Sequence, residues 1–100
     1  MEQKIKAGIV GATGYAGAEL VRLLLGHPQA EIAAISSVSF EGKALSDVYP
    51  AYYHLCDLPC GTQEEVVEAS DVIFAALPHG LSQDLAAECI SKGKAFIDLG

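Results

Sequence analysis

The sequence predicts an α/β protein with a doubly wound parallel sheet, and three observations carry that prediction. Apolar runs of strand length alternate with amphipathic runs of helix length. A turn with glycines spaced three apart, Gly11 to Gly17, joins the first such strand to the first such helix. The order reads β-α-β, then an irregular stretch, then β-α-β, with no internal repeat or linker dividing the 100 residues.

The elements follow in order. Ile5 to Val10 is a short apolar run ended by glycine, suited to a strand buried on both faces. From Tyr15 to Leu25, Ala18, Val21, Leu24 and Leu25 recur at helical spacing, and Leu20 and Leu23 widen the stripe that packs on the sheet. Gly26 is placed as the C-terminal stop and Pro28 blocks continuation. Glu31 to Ser36 returns as the second strand, through a crossover expected to be right-handed.

Ser37 to Thr62 reads as mostly loop, punctuated by Gly42, Pro50, Pro59 and Gly61, with one short strand near Leu55 to Leu58. Thr62 followed by Glu65 is a capping-box pattern opening a short helix. Val72 to Ala76 is a buried strand stopped by Pro78, His79 and Gly80. Between Ser82 and Ser91, Leu85, Ala86, Cys89 and Ile90 recur at helical spacing after Leu81, and Gly93 is the stop. Ala95 to Leu99 closes the chain as a last strand.

Composition excludes several functions. A net charge of −7 and a pI near 4.7, with six scattered basic residues, argue against binding nucleic acid or an anionic membrane. No apolar run reaches the roughly 18 residues needed to cross a bilayer. Three cysteines, and no leader-like start, fit a reducing cytoplasm. An apolar fraction of 51% and a mean hydropathy of +0.32 are high for a small free-standing domain, so some surface should be covered by something else. The isolated chain is expected to aggregate or self-associate.

The glycine turn is the strongest chemical signal. Glycines between strand and helix permit a tight turn and a close ligand approach, while the helix N-terminus offers free N–H groups and partial positive charge to a phosphate. No Lys-Ser or Lys-Thr follows, which disfavours a nucleoside-triphosphate loop. The reading is a dinucleotide cradle in a Rossmann-like domain, with Thr13 donating its hydroxyl to a phosphate and Tyr15 lying over the cofactor or capping the core. After the second strand stand Ser36 and Ser37, not a carboxylate, with Lys43 nearby, which favours NADP over NAD. Ala76 to Gly80, ALPHG, falls at the carboxyl end of a strand expected to neighbour the first, and His79 there is read as shaping the loop, not as catalytic.

Other candidates carry less. Cys56 and Cys60, with His54 near, lack a fourth ligand, so no metal site is assigned. Cys89 reads as a core residue, and no cysteine has the basic neighbours of an activated thiolate. Glu64, Glu65 and Glu68 form a solvated helix face.

GIVGATGYAGAELVRLLLGHP, SSVSFEGKALSDVYP, SDVIFAALPHG and KAFIDLG together resemble the amino-terminal region of the N-acetyl-gamma-glutamyl-phosphate reductase family, related to aspartate-semialdehyde dehydrogenase. The resemblance implies a cytoplasmic, homo-oligomeric, NADP-dependent enzyme of arginine biosynthesis. Residues 1–100 would be the first part of its NAD(P)-binding domain, the sheet incomplete and the catalytic and dimerisation domain absent. In that family a cysteine attacks the acyl phosphate and hydride from NADPH reduces the thioester, with a histidine as acid–base partner. The resemblance places these groups outside this chain, so it assigns no catalytic residue here. By motif match Gly11, Thr13, Gly14, Tyr15, Ala16 and Gly17 inherit the pyrophosphate turn, Ser36 and Ser37 the adenosine-phosphate end, and Leu77, Pro78 and Gly80 the loop by the nicotinamide ribose. One departure stands out: related sequences often carry an arginine just after the second strand, whereas the nearest cation here is Lys43. That implies a weaker hold on the 2′-phosphate, or its completion from elsewhere. A reductase of aspartyl phosphate and a stand-alone nucleotide-binding module are the alternatives.

Overall fold

The computed structural model describes residues 4–37, 40–48, 58–77 and 82–99. Its elements are β1 (Ile5–Val10), α1 (Tyr15–Leu25), β2 (Ala30–Ser36), α2 (Leu45–Val48), β3 (Cys60–Gly61), α3 (Gln63–Ala69), β4 (Val72–Ala75), α4 (Gln83–Ser91) and β5 (Ala95–Asp98). The strands form one parallel sheet in the order β3-β2-β1-β4-β5. The chain first winds from β1 to β2 and β3, then crosses back to β4 on the other side of β1. That reversal makes the sheet doubly wound and places the β1 and β4 termini side by side.

Two cores lie on opposite faces of the sheet. Ile9 and Ile35 pack with Val21 of α1, Leu45 of α2 and Cys60 on one face. Val10, Ile73 and Ala75 pack with Val66 and Val67 of α3 and with Leu85 and Cys89 of α4 on the other. Each fully buried Ile or Val contributes about 1.5–3 kcal/mol through the apolar area it removes from water. Gly8 lets α3 sit close: a Cβ there would fall 2.2 Å from Ser70 Oγ and 2.6 Å from Val66 Cγ1.

Several sequence expectations are corrected. The edge strand is Cys60–Gly61, pairing with Ile35 and Ser36 of β2, and Leu58 is not in a strand; residues 55–57 lie outside the described part. Two residues with Pro59 before them carry no periodicity, so only the pairing reveals the strand. The presumed loop also holds α2, whose Leu45 is fully buried. Segment 42–45 runs antiparallel to 58–60, with Gly42 N–H donating to Cys60 O, Cys60 N–H to Lys43 O and Leu45 N–H to Leu58 O. The apolar stripe of α1 is narrower than expected: Gly17, Ala18 and Val21 are buried with Leu20 and Leu24 beside them, while Leu23 and Leu25 are exposed. Ile90 of α4 is likewise exposed.

Gly26 ends α1 at φ −92°, without the left-handed conformation, whereas Gly93 follows α4 at φ +73°, where a side chain would be strained. Thr62 caps α3 as its spacing predicts, its Oγ1 accepting from Glu65 N–H at 3.2 Å. One half-face is only partly covered among the described residues. Val72 and Phe74 of β4 and their partners Ala95 and Ile97 of β5 share the α1 side of the sheet; Val72 and Phe74 are half-buried, whereas Ala95 and Ile97 are exposed.

Candidate dinucleotide site

The turn from β1 into α1 is bolted to the end of β2. Gly11 N–H and Ala12 N–H both donate to Ser36 O at 3.0 Å, and Gly14 N–H donates to Gly11 O at 3.2 Å. Gly11 has φ +85°, and a Cβ there would lie 2.5 Å from Ala76 O. A Cβ on Gly17 would lie 2.3 Å from Gly11 O. These two glycines are therefore demanded by packing. Gly14 is different: no atom lies closer than 3.7 Å to its Cβ position, so its bare backbone leaves room for a ligand.

Gly14 is also the N-cap of α1, without a side-chain cap bond, and the first intrahelical bond is Ala18 N–H to Gly14 O at 2.9 Å. The N–H groups of Tyr15, Ala16 and Gly17 precede any helical acceptor and lend α1 its positive end. These residues fit a pyrophosphate. Tyr15 is 94% exposed, which removes the core-capping alternative for it.

Thr13 Oγ1 lies 2.7 Å from Ser37 Oγ, so the turn and the residue after β2 share a hydrogen bond. Ser36 and Ser37 are both buried. Beside them an open cleft of about 300 Å³ runs over the carboxyl ends of β1, β2 and β3, lined by Val10, Gly11, Ser36 and Ser37, by Gly61 and Thr62, and by Leu77 on the β4 side. Glu41, Gln63 and Glu64 complete the lining, so its charge is acidic. Lys43 is exposed and does not line it. The chain's single arginine, Arg22, is paired with Glu19 on the outer face of α1.

The structure thus gathers Gly11, Thr13, Gly14, Ser36, Ser37 and Leu77 at one end of the sheet. Pro78, His79 and Gly80 lie outside the described residues, as do His54 and Cys56. Ser82, the residue before α4, donates through Oγ to Asp98 Oδ2 at 2.8 Å, tying α4 to the end of β5. Among the described residues no group of His, Cys, Asp and Glu is placed to hold a metal ion. Cys60 and Cys89 are fully buried, and burial pushes the Cys89 thiol up, away from thiolate chemistry. Sequence reasoning gave no role to Glu41, although it falls within the SSVSFEGKALSDVYP stretch, and read Glu64 as part of a solvated helix face; both line the cleft, Glu41 on the turn that follows β2.

Sheet order, glycine turn and crevice define a class: doubly wound α/β domains that take a dinucleotide at the strand carboxyl ends. Comparison with known proteins narrows the class. The model of the semialdehyde dehydrogenase NAD-binding domain matches residues 6–100, and the chain belongs to that family. Its cofactor class is accordingly a nicotinamide dinucleotide. The chain is 54% identical over 96 residues to N-acetyl-gamma-glutamyl-phosphate reductase of Clostridium beijerinckii and 49% identical to that of Brachyspira hyodysenteriae, covering 96% of this chain in each case. It spans 28% and 27% of those relatives' own length. A crystal structure of aspartate semialdehyde dehydrogenase with NADP from Candida albicans superposes with a TM-score of 0.81 at 27% identity, over 96% of this chain and 29% of that one. No described helix is long and apolar enough to cross a membrane.

Proposed function

We propose that this chain is the NADP-binding part of an N-acetyl-gamma-glutamyl-phosphate reductase, which reduces N-acetyl-glutamyl phosphate to the semialdehyde with release of phosphate. The observation that carries the reading is a turn of the dinucleotide type, open at Gly14, within a sequence 54% identical to such a reductase. The bound cofactor supplies hydride to the acyl carbon. The chain's own residues would hold and orient it: the free N–H groups at the start of α1 would take the pyrophosphate, Thr13 and Ser37 fix the turn against β2, and Leu77, on the cleft wall, would flank the nicotinamide end.

The choice of NADP rests on serines, not an acid, at the end of β2, where an acid would select the unphosphorylated ribose. The thioester-forming cysteine and the acid–base histidine belong to a second domain. Buried Cys60 and Cys89 support that division, and so do Ala95 and Ile97 of β5, exposed apolar side chains suited to packing against further protein. A homo-oligomeric whole enzyme in the cytoplasm completes the reading.

The likeness to aspartate semialdehyde dehydrogenase keeps aspartyl phosphate as a second substrate reading. Assay of the complete protein with both semialdehydes, phosphate and NADP separates them. Turnover with N-acetyl-glutamate semialdehyde alone is expected, and turnover with aspartate semialdehyde alone would overturn the substrate assignment.

A further inference from the structure

We infer that Glu41 sets the discrimination between phosphorylated and unphosphorylated nicotinamide cofactors in this protein. The inference rests on the dinucleotide reading of the site. A dinucleotide whose pyrophosphate sits at the start of α1 would extend its adenosine past the end of β2, bringing its 2′ position toward the cleft that Ser36 and Ser37 line. Two carboxylates line that cleft, Glu41 and Glu64, and no Lys or Arg does so among the described residues.

Glu41 is held there by its backbone. Lys43 N–H donates to Phe40 O at 3.0 Å and closes a four-residue turn, and Gly42, at φ +86°, donates its N–H to Cys60 O at 2.7 Å. Glu41 is thus carried on a turn anchored to β3, in the segment leaving β2, where such domains read the ribose. Glu64 stands instead in the first turn of α3, where its charge also serves the helix end.

A 2′-phosphate brings up to two negative charges against the Glu41 carboxylate, whereas a 2′-hydroxyl brings none and can donate a hydrogen bond to it. Glu41 therefore opposes NADPH selectively. It holds NADPH affinity below the level that a serine-lined cleft would otherwise give.

The test is calorimetric titration of NADPH and NADH into the wild-type protein, Glu41→Gln and Glu31→Gln. The last removes the same charge from the opposite end of β2, outside the cleft. Glu41→Gln is expected to raise the NADPH-to-NADH affinity ratio about fivefold at low salt, with the gain shrinking at high ionic strength. Glu31→Gln should leave the ratio within about twofold, as expected of a charge screened at that distance. An unchanged ratio in Glu41→Gln, or an equal change in Glu31→Gln, overturns the inference. Tighter NADH than NADPH binding by the wild type overturns the NADP assignment, but the shift in Glu41→Gln still decides the role of Glu41. Binding of neither cofactor by the wild type overturns the dinucleotide reading, and this inference with it.

Discussion

Thr13 Oγ1 and Ser37 Oγ sit 2.7 Å apart, bridging the turn after β1 and the residue after β2. Because Gly11 and Ala12 also donate to Ser36 O, the turn is fixed in place before any ligand arrives. Thr13→Val keeps the shape and removes the hydroxyl. It should lower stability by about 0.5–1.5 kcal/mol in urea denaturation, the net worth of a partly buried hydrogen bond. NADPH affinity should fall with it, read by calorimetry.

Gly17 and Gly14 of the turn should respond differently to alanine. Gly17→Ala drives a Cβ to 2.3 Å from Gly11 O, a backbone atom with nowhere to move, and should destabilise by about 1–3 kcal/mol or more. Gly14→Ala meets no such obstacle and should cost less than about 1 kcal/mol, the penalty for alanine at an N-cap. Its effect should fall on the ligand, with dinucleotide binding lost while the thermal midpoint stays near that of the wild type. Binding retained by Gly14→Ala would place the pyrophosphate elsewhere.

Ser70 Oγ is buried without a hydrogen-bond partner among the described residues and lies against Gly8. A buried hydroxyl without a partner loses its water and gains nothing in return. Ser70→Ala should therefore be neutral or stabilising by up to about 1 kcal/mol, measured by urea denaturation. Gly8→Ala at the same contact should be strongly destabilising.

The ends of α3 and α4 are joined by Lys92 Nζ donating to Glu68 Oε1 at 2.7 Å. That hydrogen bond and the ammonium charge hold the Glu68 carboxyl below its ordinary range, and the same bond pushes the Lys92 ammonium up. The Glu68 contribution is complete above the ordinary glutamate value of 4.5 and is lost as pH falls through its lower folded value. The Lys92 contribution is complete below 10.5 and is lost as pH rises through its higher folded value. Glu68→Gln should thus lower stability slightly across neutral pH, less at high salt, and not at all in strong acid; denaturation series at several pH values check this.

Cys60 and Cys89 should resist iodoacetamide in the native protein and react only on unfolding, because both thiols are fully buried. Peptide mass mapping after native labelling reads this directly. Labelling of Cys89 under native conditions would contradict its place on the buried face of α4.

Much of the fold was legible because it is local. The apolar run of β1, the helical stripe at Ala18 and Val21, the Thr62 cap and the Gly93 stop all depend on neighbours a few residues apart, and the structure bears each out. What misled was local signal without its surroundings. Leu23, Leu25 and Ile90 fit an apolar periodicity, yet all three are exposed.

The sequence by itself determined the alternation of strands and helices, the phosphate-type turn and the absence of an acid directly after β2. These follow from spacing and from the conformational freedom of single residues. Only the tertiary structure decided that β1 and β4 adjoin, that Thr13 meets Ser37 across 24 positions, and that Glu41 lines the cleft. Such pairings depend on which apolar faces bury one another across the sheet, and a parallel crossover can bring together residues that no local pattern connects.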